Sequence, residues 1–472
     1  MKLNSRVGLL PIACSRFKGM GKETPKLYEE RIQSRLDAIT MRTKQFSEVV
    51  NPGQVYTRDD VRQAMDLFFN EKVDCVFAFF LSWSEDFAWI RFLRDMYPIP
   101  VFYAHVIPEI TYTNTEEEDA FIEYLSTGGL VGALEGSGSI ARLKRPMLYA
   151  KSGSIDDIMH ELEGFAKAAA VRTNLRNCNF GLLNSFNEVM WSTYVDPFAV
   201  FAEIGPEIRF IDVTRLEDAA QEVSDKRVED CIQKLLQKYE SRPDVEMEHF
   251  RASMRCSLAM EDIARKEHIS MMVLNDVAAP LYSRMGLRPG FYPTPENDGS
   301  IAAVPEGDLG VGLAVYIMKL LTQGHVNIIE PAYVNTDGSL MVVHAGPNDY
   351  TDEQGKTIIA RDIRFARSKW KHAGAPFAWF VIPSGIKTIV HISQTKDGTF
   401  KLIATVAQAH EIEHTLASYT HGKLTFPSKK TSDVMTALLQ EGVTQHYAVS
   451  PGNSINELRH LAALLHMEFH EI

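Results

Sequence analysis

The chain has 472 residues, 45% of them hydrophobic and 23% charged, with a formal net charge of -12. This balance excludes a disordered, collagen-like or low-complexity chain. The acidic excess argues against bulk nucleic-acid binding, which depends on neutralising phosphates.

A single hydrophobic core stops growing at roughly 250–300 residues, so two or three domains are expected. The longest apolar run, residues 76–81, falls far short of the roughly 20 residues a membrane helix needs. Met1-Lys2-Leu3-Asn4-Ser5-Arg6 lacks the apolar segment of a secretory leader. The cysteines, Cys14, Cys75, Cys178, Cys231 and Cys256, are scattered and lack metal-ligand spacing. Both features lead to the expectation of a cytoplasmic chain with reduced thiols.

Residues 7–12 read as a short buried strand, followed by a helix-compatible stretch over 24–46. Thr57, with Asp60 three residues on, opens a helix as a capping box. Val61, Ala64, Met65, Phe68 and Phe69 form its core-facing stripe. A continuous apolar strand over 73–81, a helix over 85–97 and a strand over 100–104 continue the alternation. Apolar strands joined by amphipathic helices imply a parallel sheet covered on both faces.

A helix over 155–171 closes this block, and the strand pattern restarts at Phe180. The second block carries helices over 226–239 and 250–267, a strand over 269–274 and a strong helix over 309–321. Beyond about residue 324 the pattern becomes strand-rich, with strands over 341–344, 378–382, 388–392 and 400–407. Lys396-Asp397-Gly398 supplies a hairpin turn, and a helix over 454–465 ends the chain. The expected fold class is α/β: two Rossmann-like, doubly wound α/β domains (1–173 and 174–324) followed by a β-rich C-terminal domain (325–472).

The loudest motif is His410-Glu411-Ile412-Glu413-His414, a match to H-E-x-x-H. On a helix its histidines would bind zinc one turn apart, with the glutamate as base. The alternation of Phe400, Leu402, Ala404 and Val406 points instead to a strand. There the two histidines would stand about 13 Å apart, too far for one metal. Gly136-Ser137-Gly138-Ser139-Ile140-Ala141 approximates a dinucleotide fingerprint, but it does not follow the first strand. It reads as a glycine-rich connection where backbone segments pass closely.

A quieter set surrounds the second boundary. Glu306 and Asp308 precede the 309–321 helix, whose apolar side carries Val311, Val315, Met318 and Leu321. Glu330 and His344 each end an apolar strand-like run, and His446 sits in Thr444-Gln445-His446-Tyr447. Strand ends are where α/β folds place active sites. Two carboxylates and two imidazoles form a mixed oxygen–nitrogen set suited to manganese or a similar ion. Singly, each residue also fits a cap, a surface position or a hydrogen-bonded core histidine.

The ordered set is Glu306-Gly307-Asp308 before an apolar helix, Glu330, His344 and a late His446 in a His-x-x-x-Ser setting. It resembles the L-arabinose isomerase family. Phe79 to Ser84 resembles the family's early strand end, and Phe180-Gly181 through Asn187-Glu188-Val189 resembles the start of its middle domain. The resemblance implies aldose–ketose isomerisation, a divalent metal of the Mn(2+) type, and a homo-oligomer (hexamer or tetramer) with intersubunit active sites. By motif, Glu306, Glu330, His344 and His446 would be the metal ligands, with Glu306 and Glu330 as the acid/base pair.

The family's His-Gly-Gly in the first domain is Thr127-Gly128-Gly129 here, and its late His-His-Thr is Gln445-His446-Tyr447. Thr127 and Gln445 therefore take the substrate-binding positions. No cluster of basic residues marks a phosphosugar site, so the expected substrate is an unphosphorylated aldose: a pentose, hexose or deoxyhexose. The competing readings are a zinc metallopeptidase built on His410, Glu411 and His414, and a non-catalytic sugar-binding protein. Neither nucleic acid nor membrane is expected as a partner.

Overall fold

The apolar strand segments of the first 173 residues pair side by side because the helices between them bury both faces. They are β1 (Arg6–Ile12), β2 (Glu48–Val50), β3 (Cys75–Phe80), β4 (Val101–Val106) and β5 (Leu148–Gly153), all parallel in the order β2-β1-β3-β4-β5. This is a doubly wound order. The computed structural model describes residues 3–96, 98–108, 116–127, 129–350 and 356–472. It divides into two units, Leu3–Thr173 and one that includes Asn174–Ile472. The boundary drawn near 324 lies inside the second unit.

In the first unit, Thr57 caps the helix Arg58–Asn70 through a reciprocal box with Asp60. Val61, Ala64 and Phe68 are buried as the stripe requires, but Phe69 is 77% exposed. At 100° per residue, position i+8 has drifted about 80° from Val61 and leaves the buried arc. The glycine-rich segment expected as a connection lies within a helix, Gly129–Leu143. A Cβ on Gly136 would stand 2.6 Å from the Tyr103 hydroxyl and 3.0 Å from the Trp89 ring. The close approach is therefore between a helix and the aromatic residues beneath it.

The second unit begins with β6 (Asn179–Leu183), β7 (Glu207–Ile211), β8 (Glu240–Ser241), β9 (Ile269–Leu274) and β10 (Ala302–Val304). Four of these form a parallel sheet, β10-β9-β6-β7. The helices Asp225–Lys238 and Met247–Lys266 bury their apolar residues.

The remaining strands are β11 (Asn327–Val334), β12 (Leu340–Ala345), β13 (Ile358–Arg361), β14 (Pro376–Trp379), β15 (Gly385–Gln394), β16 (Phe400–His410), β17 (Tyr419–Thr425), β18 (Tyr447–Pro451) and β19 (Glu468–Glu471). Six run in the order β15-β18-β11-β12-β17-β16, and β15 also pairs with β16. The antiparallel sheet thus closes into a barrel, which removes its free edges. Val342, Ile389, Ile403 and Leu424 pack in its core cluster. The chain does not end on the helix Ile455–Leu464 as expected: β19 follows and adds to β16 in parallel.

The helix Leu309–Thr322 lies between these layers, packed on β9 and β10 and also on β11, β15 and β18. Every residue from Leu309 to Met318 is buried, so it is a core helix rather than a one-sided one. Its N-terminus and the barrel strands beside it meet at the candidate site. Among the described residues no helix is long and apolar enough to cross a membrane.

Candidate metal centre

β11 lies between β12 and β18, with Glu330 opposite Val343 and Ile329 opposite Tyr447. Glu330, His344 and His446 therefore arrive from three adjacent strands or their ends. Glu330, expected at a strand end, lies in the middle of β11, whereas His344 is next to the end of β12. β11 continues past its apolar run because exposed Tyr333 and Val334 still pair with Met341 and Leu340, up to the turn at Asn335–Gly338.

Glu306 comes from the segment between β10 and the core helix. Its φ is +65°, unusual for a residue with a side chain, and it is only 6% exposed. Strained, buried backbone of this kind persists only where its surroundings over-determine it. Here the Glu306 N–H donates to Asp276 Oδ1 at 2.9 Å, and the Gly307 N–H donates to the Leu274 carbonyl at 3.1 Å.

The side chains converge. His446 Nε2 stands 3.3 Å from both Glu306 Oε2 and Glu330 Oε1, and His344 Nε2 stands 3.9 Å from Glu306 Oε1. One ligand atom from each of Glu306, His344 and His446 falls within 4.8 Å of the others. Ligands about 2.0–2.2 Å from a common ion lie up to about 4.4 Å apart, so a small inward adjustment fits the set to a divalent cation.

The hydrogen-bond accounting agrees. Glu306 Oε2, His446 Nε2 and both ring nitrogens of His344 are buried with no hydrogen-bond partner. Buried polar atoms are normally paired, so such orphans call for an ion or a ligand.

Asp308 does two jobs. Its Oδ1 accepts the Val311 N–H and caps the core helix, while its Oδ2 lies 2.8 Å from His446 Nδ1. A carboxylate on Nδ1 fixes the tautomer and leaves Nε2 free for a metal. His391 Nδ1 is 2.8 Å from the His446 carbonyl and steadies the same residue from below.

The charges are organised to match. Burial alone would lower the His446 imidazole, but Asp308, Glu306 and Glu330 raise it to about 11. Burial pushes His344 down to about 4 against the pull of Glu306. Burial would raise the Glu306 carboxyl, yet His446, His344 and Arg288 hold it well below the usual carboxylate range. A fixed anion beside a proton-holding imidazole is the charge pattern a cation would replace.

Gln445 is half-buried and its amide lies 3.3 Å from the Met190 sulfur. Thr127 ends the helix Glu118–Thr127 in the first unit, and its side chain lies outside the described residues, as does Gly128.

The H-E-x-x-H segment stays dispersed. His410 ends β16, where its Nε2 lies 2.7 Å from Thr425 Oγ1. Glu411 pairs with Lys356 at 2.9 Å, and His414 lies beyond the strand against the Trp379 ring. Among the described residues the group able to hold a metal is Glu306, His344 and His446.

Sequence reasoning missed Asp276, Arg288 and His391. Asp276 carried a usable signal, since it lies two residues beyond the end of parallel strand β9. Arg288 and His391 carried none.

No family model matches the chain, and no curated protein matches it. Among solved structures it is similar to a periplasmic sugar-binding protein of an ABC sugar transporter from Legionella pneumophila. The identity is 10% over 68% of this chain and 96% of that chain, at a TM-score of 0.17. That likeness carries no argument about the site.

Proposed function

We propose that the protein is a metal-dependent aldose–ketose isomerase of the L-arabinose isomerase type, acting on an unphosphorylated aldose. The observation that carries this reading is the buried convergence of Glu306, His344 and His446, with Glu330 3.3 Å from His446 Nε2. Four residues spread from 306 to 446 supply two carboxylates and two imidazoles, and Glu306, His344 and His446 among them have unpartnered atoms. That is the donor set for an ion of the Mn(2+) type.

A divalent ion held there would polarise the sugar carbonyl and stabilise the enediolate, several kcal/mol of help in typical metal catalysis. Glu306 stays ionised as an anchor, because His446, His344 and Arg288 all favour its charged form. Glu330, at 27% side-chain exposure the most open of the four, would take the C2 proton and return it to C1, while Glu306 would pass the hydroxyl proton from O2 to O1. Asp308 keeps His446 oriented throughout. The homo-oligomer belongs to the same reading, supported by exposed Trp191, Phe198 and Phe210.

The test is a screen of pentoses, hexoses and 6-deoxyhexoses for ketose formation with added manganese. Glu306→Gln and Glu330→Gln are each expected to abolish turnover in a folded protein. Near-full turnover in either variant overturns the assignment.

A further inference from the structure

Beside Glu306 lies a buried cation, Arg288, whose two Nη donors this reaction scheme does not use. The Arg288 side chain is 4% exposed, and its Nε donates to Asp276 Oδ2 at 2.5 Å. Neither Nη1 nor Nη2 has a hydrogen-bond partner. Glu306 Oε1 stands 3.7 Å from Nη2, beyond hydrogen-bond reach. Asp276 is already committed through its other oxygen to the Glu306 N–H. Asp362, the next carboxylate, accepts from the Arg364 N–H at 3.1 Å.

The end of this guanidinium, 5.9 Å from the centre of the Phe365 ring, is a planar pair of donors without a hydrogen bond. Arg is always charged, and its two Nη groups match the two oxygens of a carboxylate in a bidentate contact. The surroundings hold the fork in place: a Cβ on Gly346 would stand 2.5 Å from Nη1, so only glycine admits the guanidinium there. Tyr282, whose buried hydroxyl also lacks a partner, adds a further donor that feels the charges of Arg288 and Asp276. One side of the site thus presents acceptors and ligand nitrogens, and the other presents unpaired donors.

We propose that Arg288 binds the carboxylate of an acidic sugar, making a uronate the preferred substrate class of this site. The inference rests on the isomerase reading for the aldose half of the ligand, but not for recognition of the carboxylate. A neutral aldose leaves the fork unpaired, whereas a uronate closes it while its other oxygens remain available to the ligand cluster.

The experiment is calorimetric titration of the full chain, kept metal-free with chelator. D-glucuronate and D-galacturonate are compared with D-glucose and D-galactose, so that no metal can attract the carboxylate. The uronates are expected to bind at least about tenfold more tightly than the neutral hexoses. That preference should vanish in Arg288→Gln and shrink in Arg288→Lys, which keeps the charge and loses the fork.

Because Arg288→Gln strands a buried Asp276, the double variant Asp276→Asn/Arg288→Gln supplies a charge-balanced control. Equal binding of uronate and hexose, no uronate binding at millimolar concentration, or a preference that survives the double variant overturns the proposal. Absence of ketose formation from every aldose would instead remove the isomerase reading and leave this titration interpretable.

Discussion

Two regions of the second unit gather histidines and glutamates, and they do so in opposite ways. At the end of β16, His410, Glu411 and His414 are neighbours in sequence, yet each turns to a separate local partner: Thr425, Lys356 and the Trp379 ring. Around the core helix, Glu306, Glu330, His344 and His446 are spread over the chain but face one another, with unpartnered atoms between them. A motif's chemistry depends on the element that carries it. Four-residue spacing aligns ligands on a helix, but here β16 ends at His410 and an irregular segment carries His414 away from it. Closeness in sequence is therefore weaker evidence than the convergence of buried polar atoms from separate elements, since His414 Nε2 is also without a partner but stands alone.

The sharpest way to break this contrast is to remove one imidazole from each region. His446→Ala deletes the nitrogen that faces both carboxylates, and is expected to weaken Mn(2+) binding by at least about a hundredfold, measured by calorimetry. His414→Ala in the other region should leave the affinity within about twofold, because His414 packs on the Trp379 ring and is not in the group able to hold a metal. Comparable losses in the two variants would erase the distinction between the regions.

A finer test separates the ligands from what positions them. Asp308 both caps the core helix and sets the His446 tautomer. Asn caps a helix about as well as Asp, so Asp308→Asn should retain most of the thermal stability. It replaces a carboxylate on Nδ1 with a neutral amide, and metal affinity should fall about 10–100-fold. Asp308→Ala should lose the affinity and, in addition, about 1 kcal/mol of stability from the missing cap. If Asp308→Asn bound metal as well as wild type, the second role of Asp308 would be refuted.

How much of this was legible in the sequence follows the same division. Periodicity located β1, β3, β4, β6 and β9, because their burial pattern is local, with β9 at residues 269–274 as expected, but it missed the parallel strands β2, β5, β7 and β10. Barrel closure was not legible, since the β15–β16 hairpin is local but the joining of β15 to β18 spans about sixty residues. Glu306, Glu330, His344 and His446 could be nominated by residue type and order. Their convergence could not, because it depends on β11 lying between β12 and β18. Arg288 was invisible for a related reason, and Asp276 showed only its place after β9: a buried ion pair looks like two ordinary surface charges until its burial is known.

The smallest expected effect is a pH slope, and it distinguishes the histidines within the cluster. In the metal-free protein His446 is raised from its ordinary 6.5 to about 11, so its Nε2 carries a proton at neutral pH. Metal must displace that proton, and affinity should rise about tenfold per pH unit from pH 6.5 upward, with one proton released per ion. His344, pushed down to about 4, is already neutral and adds no proton across this range. His414, also lowered by burial, adds none either.

The linked stability effect has a definite sign. A raised folded-state value stabilises the metal-free protein fully below pH 6.5, and that contribution is lost progressively as pH climbs toward 11. The chelated protein should therefore melt at lower temperature at pH 9 than at pH 6. His446→Gln, with no proton to lose, should show a flatter profile over the same window. Calorimetry in buffers of different ionisation enthalpy counts the protons directly. A count near zero at pH 7 would mean that His446 Nε2 carries no proton in the metal-free protein, and the cluster would then differ from the H-E-x-x-H segment in geometry alone.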